Sequence, residues 1–375
     1  MSTAPFSTTG TPAETFVLNL GPQHPATHGV LRVKLTMEGE YVLRAEPVCG
    51  YIHRMHEKMG ENRTWAQFLP NTSRIDYLSA MHYTHAFVAA VERGSGIEVP
   101  PRAEYLRVIT SELNSISSHL VWFGAFLLDL GGFTPLLYAF DDREQILDLL
   151  EGVCGARLTY CYYRFGGLCN DVDDNFLQGT RAFVKRMQPR FELYRQLVTE
   201  NIILCKRLEG IGPISAEQCR KYGATGPVSR GSGVAYDVRR AEPYSVYPEF
   251  DFEIPVFSEG DCLARYLVRM EEMRQSLRIV EQALDKLPEG PVVAEKVPRT
   301  IKMAPGDYCF AVEAARGRFA VRVISDGTDV PYRVKLRTPS FSNLSLFEET
   351  SAGMMLPDAL ALMGSLDLVI PDIDR

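Results

Sequence analysis

Apolar and polar residues alternate through the first stretch of the chain. "TFVLNLG" (15–21) reads as one strand, and "GVLRVKLTMEGEYVLRAEPV" (29–48) alternates on both sides of Gly39 as a hairpin does. The period then lengthens to that of helices. Helices are predicted over 75–93, 101–130, 141–164, 175–210 and 260–287, with Pro101 in a first-turn position. Gly and Pro punctuate 211–260. "DYCFAVEAARGRFAVRVISDG" returns to alternation as a hairpin around Arg316–Gly317. The order predicts an α+β fold, a central helical bundle with small flanking β elements at the N- and C-terminal ends. Residues 1–14 form a Ser/Thr/Pro tail, expected to be flexible. Residues 15–375 form a single domain, β-rich over 15–50, mainly helical over 51–290, and a β hairpin plus C-terminal segment over 300–375.

Composition narrows the class. The chain has 375 residues, 46% hydrophobic and 23% charged, with formal net charge −7. That balance is globular and argues against a general nucleic-acid binder, which would carry a basic face. The first basic side chain, histidine aside, is Arg32, so residues 1–14 lack the features of a secretory or mitochondrial leader. Eight cysteines occur with no C-x-x-C pair. They are expected to be reduced, mostly buried thiols in a cytosol-like compartment. The apolar run at 119–140 is broken by Asp129, Gly131, Gly132 and Pro135, which favours a buried core helix over a membrane span.

Histidine is the first candidate for chemistry. Six of the seven histidines lie before residue 86. His24 and His28 are four apart, the spacing of a helical metal pair, but in H-P-A-T-H-G the proline and glycine forbid that helix. They belong on a loop, as surface residues or as ligand contacts. His82 and His85, three apart on an apolar helix, read as core or interface histidines rather than ligands. "RGSGVAYDVRR" (230–240) reads as a tight structural loop, because no P-loop lysine follows. The charge runs "EKMGENR" and "RMEEMRQ" read as solvated helix faces. Asp129, inside "AFLLDLGGF", is either a helix-end residue reaching solvent or a buried partner orienting a histidine. Tyr77 in "NTSRIDYLS" is either core or a hydrogen-bond donor from an apolar wall.

Eight segments taken in order resemble one family. "GPQHPATHGVLR", "GYIHRMHEK", "SRIDYLSA", "DLGGFTPLLYAFDDRE", "GATGPVSRGSGVAYDVRRAEPY", "GDCLARYLVRMEEMRQSLRIVEQAL", "AVEAARGRFAVRVISDG" and "PYRVKLRTPSF" resemble the D subunit of bacterial NADH:quinone oxidoreductase, respiratory complex I. That family is similar to the large subunit of nickel–iron hydrogenases, and a fold of that kind is implied. Hydrogenases bind metal through a C-x-x-C near each end; here the matching regions read "VCGYIHRMH" and "SLDLVIPDIDR", so Cys49 is a lone relic and no thiol follows Cys309. The resemblance implies that a quinone headgroup sits between His28 and Tyr77, with Asp129 the partner of His28. His24 supports the loop, and Arg54 and Arg74 lie near a [4Fe–4S] cluster carried by a neighbouring B subunit. Quinone enters as substrate and no cofactor is bound by the chain's own ligands; NAD binds elsewhere in the complex. The implied partners are the B, C and I subunits and the membrane-arm H subunit. The implied place is the cytoplasmic side of the bacterial inner membrane, held peripherally and coupled to ion translocation.

Two positions depart from the family pattern. Thr159 stands where relatives have the histidine of G-A-R-M-H, and Pro371–Asp372 stands where they have Gly–Glu. The first implies a weaker coupling of cluster potential to pH. Two alternatives stay open: the same subunit in a ferredoxin- or deazaflavin-fed relative, and a non-catalytic scaffold.

Overall fold

The structure, a computed structural model, describes residues 14–24 and 29–375. The predicted tail, apart from Glu14, and His28 therefore lie outside the described residues.

Strands β1 (Thr15–Leu20), β2 (Arg32–Glu38) and β3 (Tyr41–Val48) form an antiparallel sheet in chain order. Alternation does what the sequence implied: Val33, Leu35 and Met37 face the core while their neighbours are partly exposed. Helices α1 (His56–Gly60), α2 (Trp65–Thr72), α3 (Ala80–Ser95) and α4 (Pro101–Asp129) follow. The predicted helix at 75–93 starts late, because Asp76 accepts the amides of Leu78 and Ser79 and holds a turn there.

Helix α5 runs from Phe133 to Cys154, earlier than the predicted 141–164 at both ends. Gly131 and Gly132 end α4, and Pro135 fits the first turn of α5, where an amide would lack a partner anyway. Gly155 (φ 72°) ends α5 in the left-handed conformation, and the chain enters a short ribbon of β4 (Tyr163–Arg164) and β5 (Gly167–Leu168). The apolar run at 119–140 is thus two helices. Its α4 part is buried as far as Leu127, whereas Phe133, Leu137 and Phe140 of α5 are exposed. Among the described residues no helix is long and apolar enough to cross a membrane.

The predicted helix at 175–210 is three pieces: α6 (Asp174–Tyr194), a wide turn over Arg195–Thr199, and α7 (Ile202–Leu208), capped by Asn201. Short helices α8 (Ala216–Tyr222), α9 (Pro227–Arg230) and α10 (Val238–Ala241) punctuate the Gly/Pro-rich region. Then comes the long α11 (Cys262–Asp285), packed on α4.

The C-terminal part holds more than a hairpin. Strands β6 (Gly306–Ala314), β7 (Gly317–Ser325) and β8 (Arg333–Arg337) form a second antiparallel sheet, and α3 packs on β6 and β7. Helices α12 (Pro339–Thr350), α13 (Leu356–Ser365) and α14 (Ile370–Asp374) complete the chain. The result is the expected α+β class, with helix α4 buried nearly all round at its centre.

Two further expectations need correction. All eight cysteines are free, but only Cys219 and Cys262 are buried; Cys49, Cys169 and Cys309 are exposed. The run "RMEEMRQ" is not a solvated face. Arg269 and Glu272 are buried on α11, because Glu272 pairs with Arg230 (2.6 Å) and His119 (3.3 Å) from other elements. Burial of a charge becomes tolerable only with such partners.

Candidate functional site: a tyrosine–arginine cavity

The turn between α2 and α3 carries Tyr77. Asp76 fixes it from within, and Asn114 of α4 fixes it from outside, donating to the Leu78 carbonyl (2.9 Å) and accepting from the Met81 amide (3.1 Å). Tyr77 is half-buried and lines a cavity of about 220 Å³. Trp122 of α4, Arg316 of the β6–β7 turn, and Asp367, Leu368 and Val369 between α13 and α14 form other parts of its wall. Trp122 is itself anchored, its indole N–H donating to the Gly364 carbonyl at 2.8 Å.

Arg316 is fully buried in that wall. Its guanidinium donates to Asp76 (2.9 Å), Ser79 (3.3 Å) and Ser118 (3.1 Å), and to the Asp367 carboxylate (3.0 Å) and carbonyl (3.1 Å). Two carboxylates therefore face one cation. Asp367 adopts φ 54°, and its second carboxylate oxygen, buried without a hydrogen-bond partner, lies 4.0 Å from Nε of Arg269. Arg269 in turn stacks over Trp122 at 4.2 Å. Burial pushes the Tyr77 phenol above its ordinary range; Arg316 pulls the other way, and Asp76 and Asp367 add to the rise.

The other sequence candidates fall in distinct places. His24 is exposed and pairs with Gly29 in an isolated antiparallel bridge; the tight turn expected between them lies outside the described residues. Asp129 is the last, exposed residue of α4, two turns beyond Trp122 of the cavity wall. Arg54 and Arg74 are exposed neighbours, the Arg54 guanidinium donating to the Arg74 carbonyl at 2.6 Å. They flank His56, whose buried ring has neither nitrogen hydrogen-bonded; burial first, then Arg54, His53 and Arg74, bring its pKa down to about 4. His82 and His85 lie in the core as predicted, and His82 bonds Ser115 at 3.1 Å.

The segments "VCGYIHRMH" and "SLDLVIPDIDR" meet. Asp374 accepts the amides of Gly50 (2.8 Å) and Ile52 (2.9 Å), and its carbonyl bonds His53 Nδ1 at 2.7 Å. Pro371 occupies the first turn of α14, so its missing N–H costs nothing there. Asp372 is buried and accepts from Tyr83 (2.5 Å) and from the Ser340 amide (3.1 Å); burial and Asp76 push it up to about 7. Thr159 is held at φ 44°, uncommon for a β-branched residue.

Sequence reasoning did not single out Arg316 and Asp367. A signal existed for Asp367, a lone carboxylate within the apolar "SLDLVI", the same kind of signal that drew attention to Asp129. Arg316 gave none, since an arginine at a hairpin tip is ordinarily solvated.

A cavity lined by a phenol, a buried arginine with its paired carboxylate, and apolar and aromatic side chains suits a flat molecule with one or two polar atoms. The fold and cavity define an α+β protein with a chemically equipped pocket of that kind. The family described as "Respiratory-chain NADH dehydrogenase, 49 Kd subunit" matches residues 129–302 and 295–375. The second NADH-quinone oxidoreductase D subunit of Opitutus terrae is 76% identical over 364 residues, covering 97% of this chain and 91% of that relative. The NADH-quinone oxidoreductase D subunits of Desulfotalea psychrophila (70%; 97% of this chain, 98% of the relative) and Syntrophobacter fumaroxidans (57%; 96% of each) are similar over the same extent. The chain belongs to this family, the D, or 49 kDa, subunits of respiratory complex I.

Proposed function

We propose that the Tyr77 cavity is part of the site at which complex I reduces quinone. Reducing a quinone to a quinol takes two electrons and two protons, so each carbonyl oxygen needs a donor within hydrogen-bond reach. Tyr77 serves one oxygen and His28 the other, with Asp129 favouring the protonated imidazole and His24 supporting the loop. The observation that carries this reading is Tyr77 itself: a half-buried phenol in the wall of a cavity whose one lining cation, among the described residues, is the buried Arg316.

Electrons reach the site from a [4Fe–4S] cluster of the neighbouring B subunit, against the face that carries Arg54 and Arg74. NAD is bound elsewhere in the complex, where NADH is oxidised. The C, I and membrane-arm H subunits complete the surroundings, on the cytoplasmic side of the bacterial inner membrane, and quinol formation drives ion translocation there.

The test is the intact complex carrying Tyr77→Phe, assayed for quinone turnover and for an artificial-acceptor activity that bypasses the quinone site. Quinone turnover is expected to fall at least about tenfold while the bypass rate holds. Equal retention of both rates would make Tyr77 a packing residue and remove the cavity from the reaction.

A further inference from the structure

We propose that Arg316 is the positioning residue that makes Tyr77 usable as a proton donor, by stabilising the phenolate left when the proton has gone. The inference rests on the reading of the cavity just given. When Tyr77 donates, its O–H bond breaks and an O–H bond forms on the quinone oxygen, which has taken its electrons from the complex. A negative phenolate then stands in a half-buried wall until water returns the proton. A phenol is a poor acid, with an ordinary pKa of about 10, and burial makes it poorer.

Four charged groups bear on this point. Asp76 lies on the turn of Tyr77 itself, Arg316 comes from the β6–β7 turn, Asp367 from the α13–α14 connection, and Arg269 from α11 lies behind Asp367 at 4.0 Å. Arg316 and Asp367 line the cavity together with Tyr77, and Arg316 is the cation among them. Its position is fixed before any reaction, by acceptors on the Tyr77 turn, on α4 and on the α13–α14 connection. A fixed charge in a water-poor wall stabilises a developing anion without having to reorganise. Asp76 and Asp367 hold the arginine in place and also moderate it: each is a negative charge that the phenolate must compete with.

This last point gives the test, because the two charges act on Tyr77 with opposite sign. The assay is quinone turnover of the intact complex in membranes as a function of pH, with the bypass activity measured alongside to confirm assembly. Tyr77 must be protonated to donate, so turnover is lost as pH rises through its pKa. Asp367→Asn removes one carboxylate and is expected to move that alkaline limb down by about one pH unit. Arg316→Gln is expected to lower turnover at least about tenfold and to move the limb up, whereas Arg316→Lys, which keeps the charge, restores most of the turnover.

An arginine that merely ties segments together predicts a different pattern: Asp367→Asn lowers turnover with the limb unmoved, and Gln and Lys at 316 are equally impaired. Either of those results overturns the proposal, and the pair at 316 decides it if Asp367→Asn does not assemble. Full quinone turnover in Tyr77→Phe would overturn the quinone reading itself, a separate failure.

Discussion

The place of Arg316 depends on a backbone contact, and the contact can be broken by one methyl group. Gly317 follows Arg316 at the tip of the β6–β7 hairpin with φ 121°. A Cβ there would stand 2.5 Å from Thr225 Oγ1 and 2.6 Å from the Gly226 amide nitrogen. On the other side Gly226, at φ 70°, is pressed against the Arg316 carbonyl. Gly317→Ala therefore incurs two costs. The positive φ strains an L-residue by roughly 1–3 kcal/mol, and the clash with backbone atoms costs about 1–3 kcal/mol more. The smaller unfolded-state entropy of alanine returns roughly 0.4–1 kcal/mol. The net loss is about 3 kcal/mol, a large share of an ordinary domain's stability.

A control separates the two terms. Gly39, in the β2–β3 turn, also has positive φ (59°), but no atom lies within 4 Å of where its methyl would stand. Gly39→Ala should cost about 1 kcal/mol. The difference, about 2 kcal/mol, is a factor of about 30 in an opening equilibrium. Hydrogen exchange of the β6–β7 ladder, around the Val312–Phe319 pair, in the assembled complex reads it directly. Gly317→Ala should also depress quinone turnover more than the bypass rate, since the displaced tip carries Arg316. If the ladder opens no more readily in Gly317→Ala than the β2–β3 ladder does in Gly39→Ala, the close approach is not what holds the tip.

Two further outcomes follow from the same kind of reasoning. Met55 sits at φ 55°, ψ 38° before α1 with its side chain 57% exposed, so Met55→Gly should stabilise by about 0.5–1 kcal/mol, read as slower exchange in α1. Stability should also peak near pH 6.5. The buried His82 and His85, with His56, are held below their ordinary 6.5, so the folded state binds fewer protons and stability rises with pH up to that value. Glu313 and Asp372, both pushed up to about 7, have the opposite sign: their contribution is lost as pH rises toward 7. Between roughly pH 4.5 and 6.5 three histidines outweigh Glu313, Asp372 and Glu92, the last raised less by its burial; above about 6.5 the carboxyls act alone. A thermal midpoint of the assembled complex that climbs steadily from about pH 6.5 to 7.5 would contradict this.

Much of the fold was legible locally. The β2–β3 and β6–β7 hairpins could be read because alternation and a turn glycine sit within a dozen residues of each other. Helix α12 was missed although Pro339 at its first turn announced it, and the early start of α5 was hidden by reading 119–140 as one apolar run. The partners of the buried charges were not legible. Nothing near Glu272 in the chain shows that Arg230 and His119 will neutralise it, and nothing near Arg316 shows Asp76 or Asp367. Local pattern predicts elements; partners far apart in sequence decide which charges go inside.

Asp129 and Asp367 make the distinction concrete. Each is a single carboxylate within an apolar stretch, and each raises the same question, because such a group is costly to bury alone. The answers differ for reasons outside the stretch. Asp129 is followed by Gly131 and Gly132, which end α4 and leave the carboxylate exposed at a helix end. Asp367 is followed by Leu368 and Val369, which bury the chain again, and it survives there because the hairpin tip delivers Arg316 to it. A lone acid in an apolar run thus marks either an end of a helix or the far half of an ion pair. In this chain the second kind lines the cavity beside Tyr77, and the arginine that makes its burial possible comes from a hairpin tip far away in sequence.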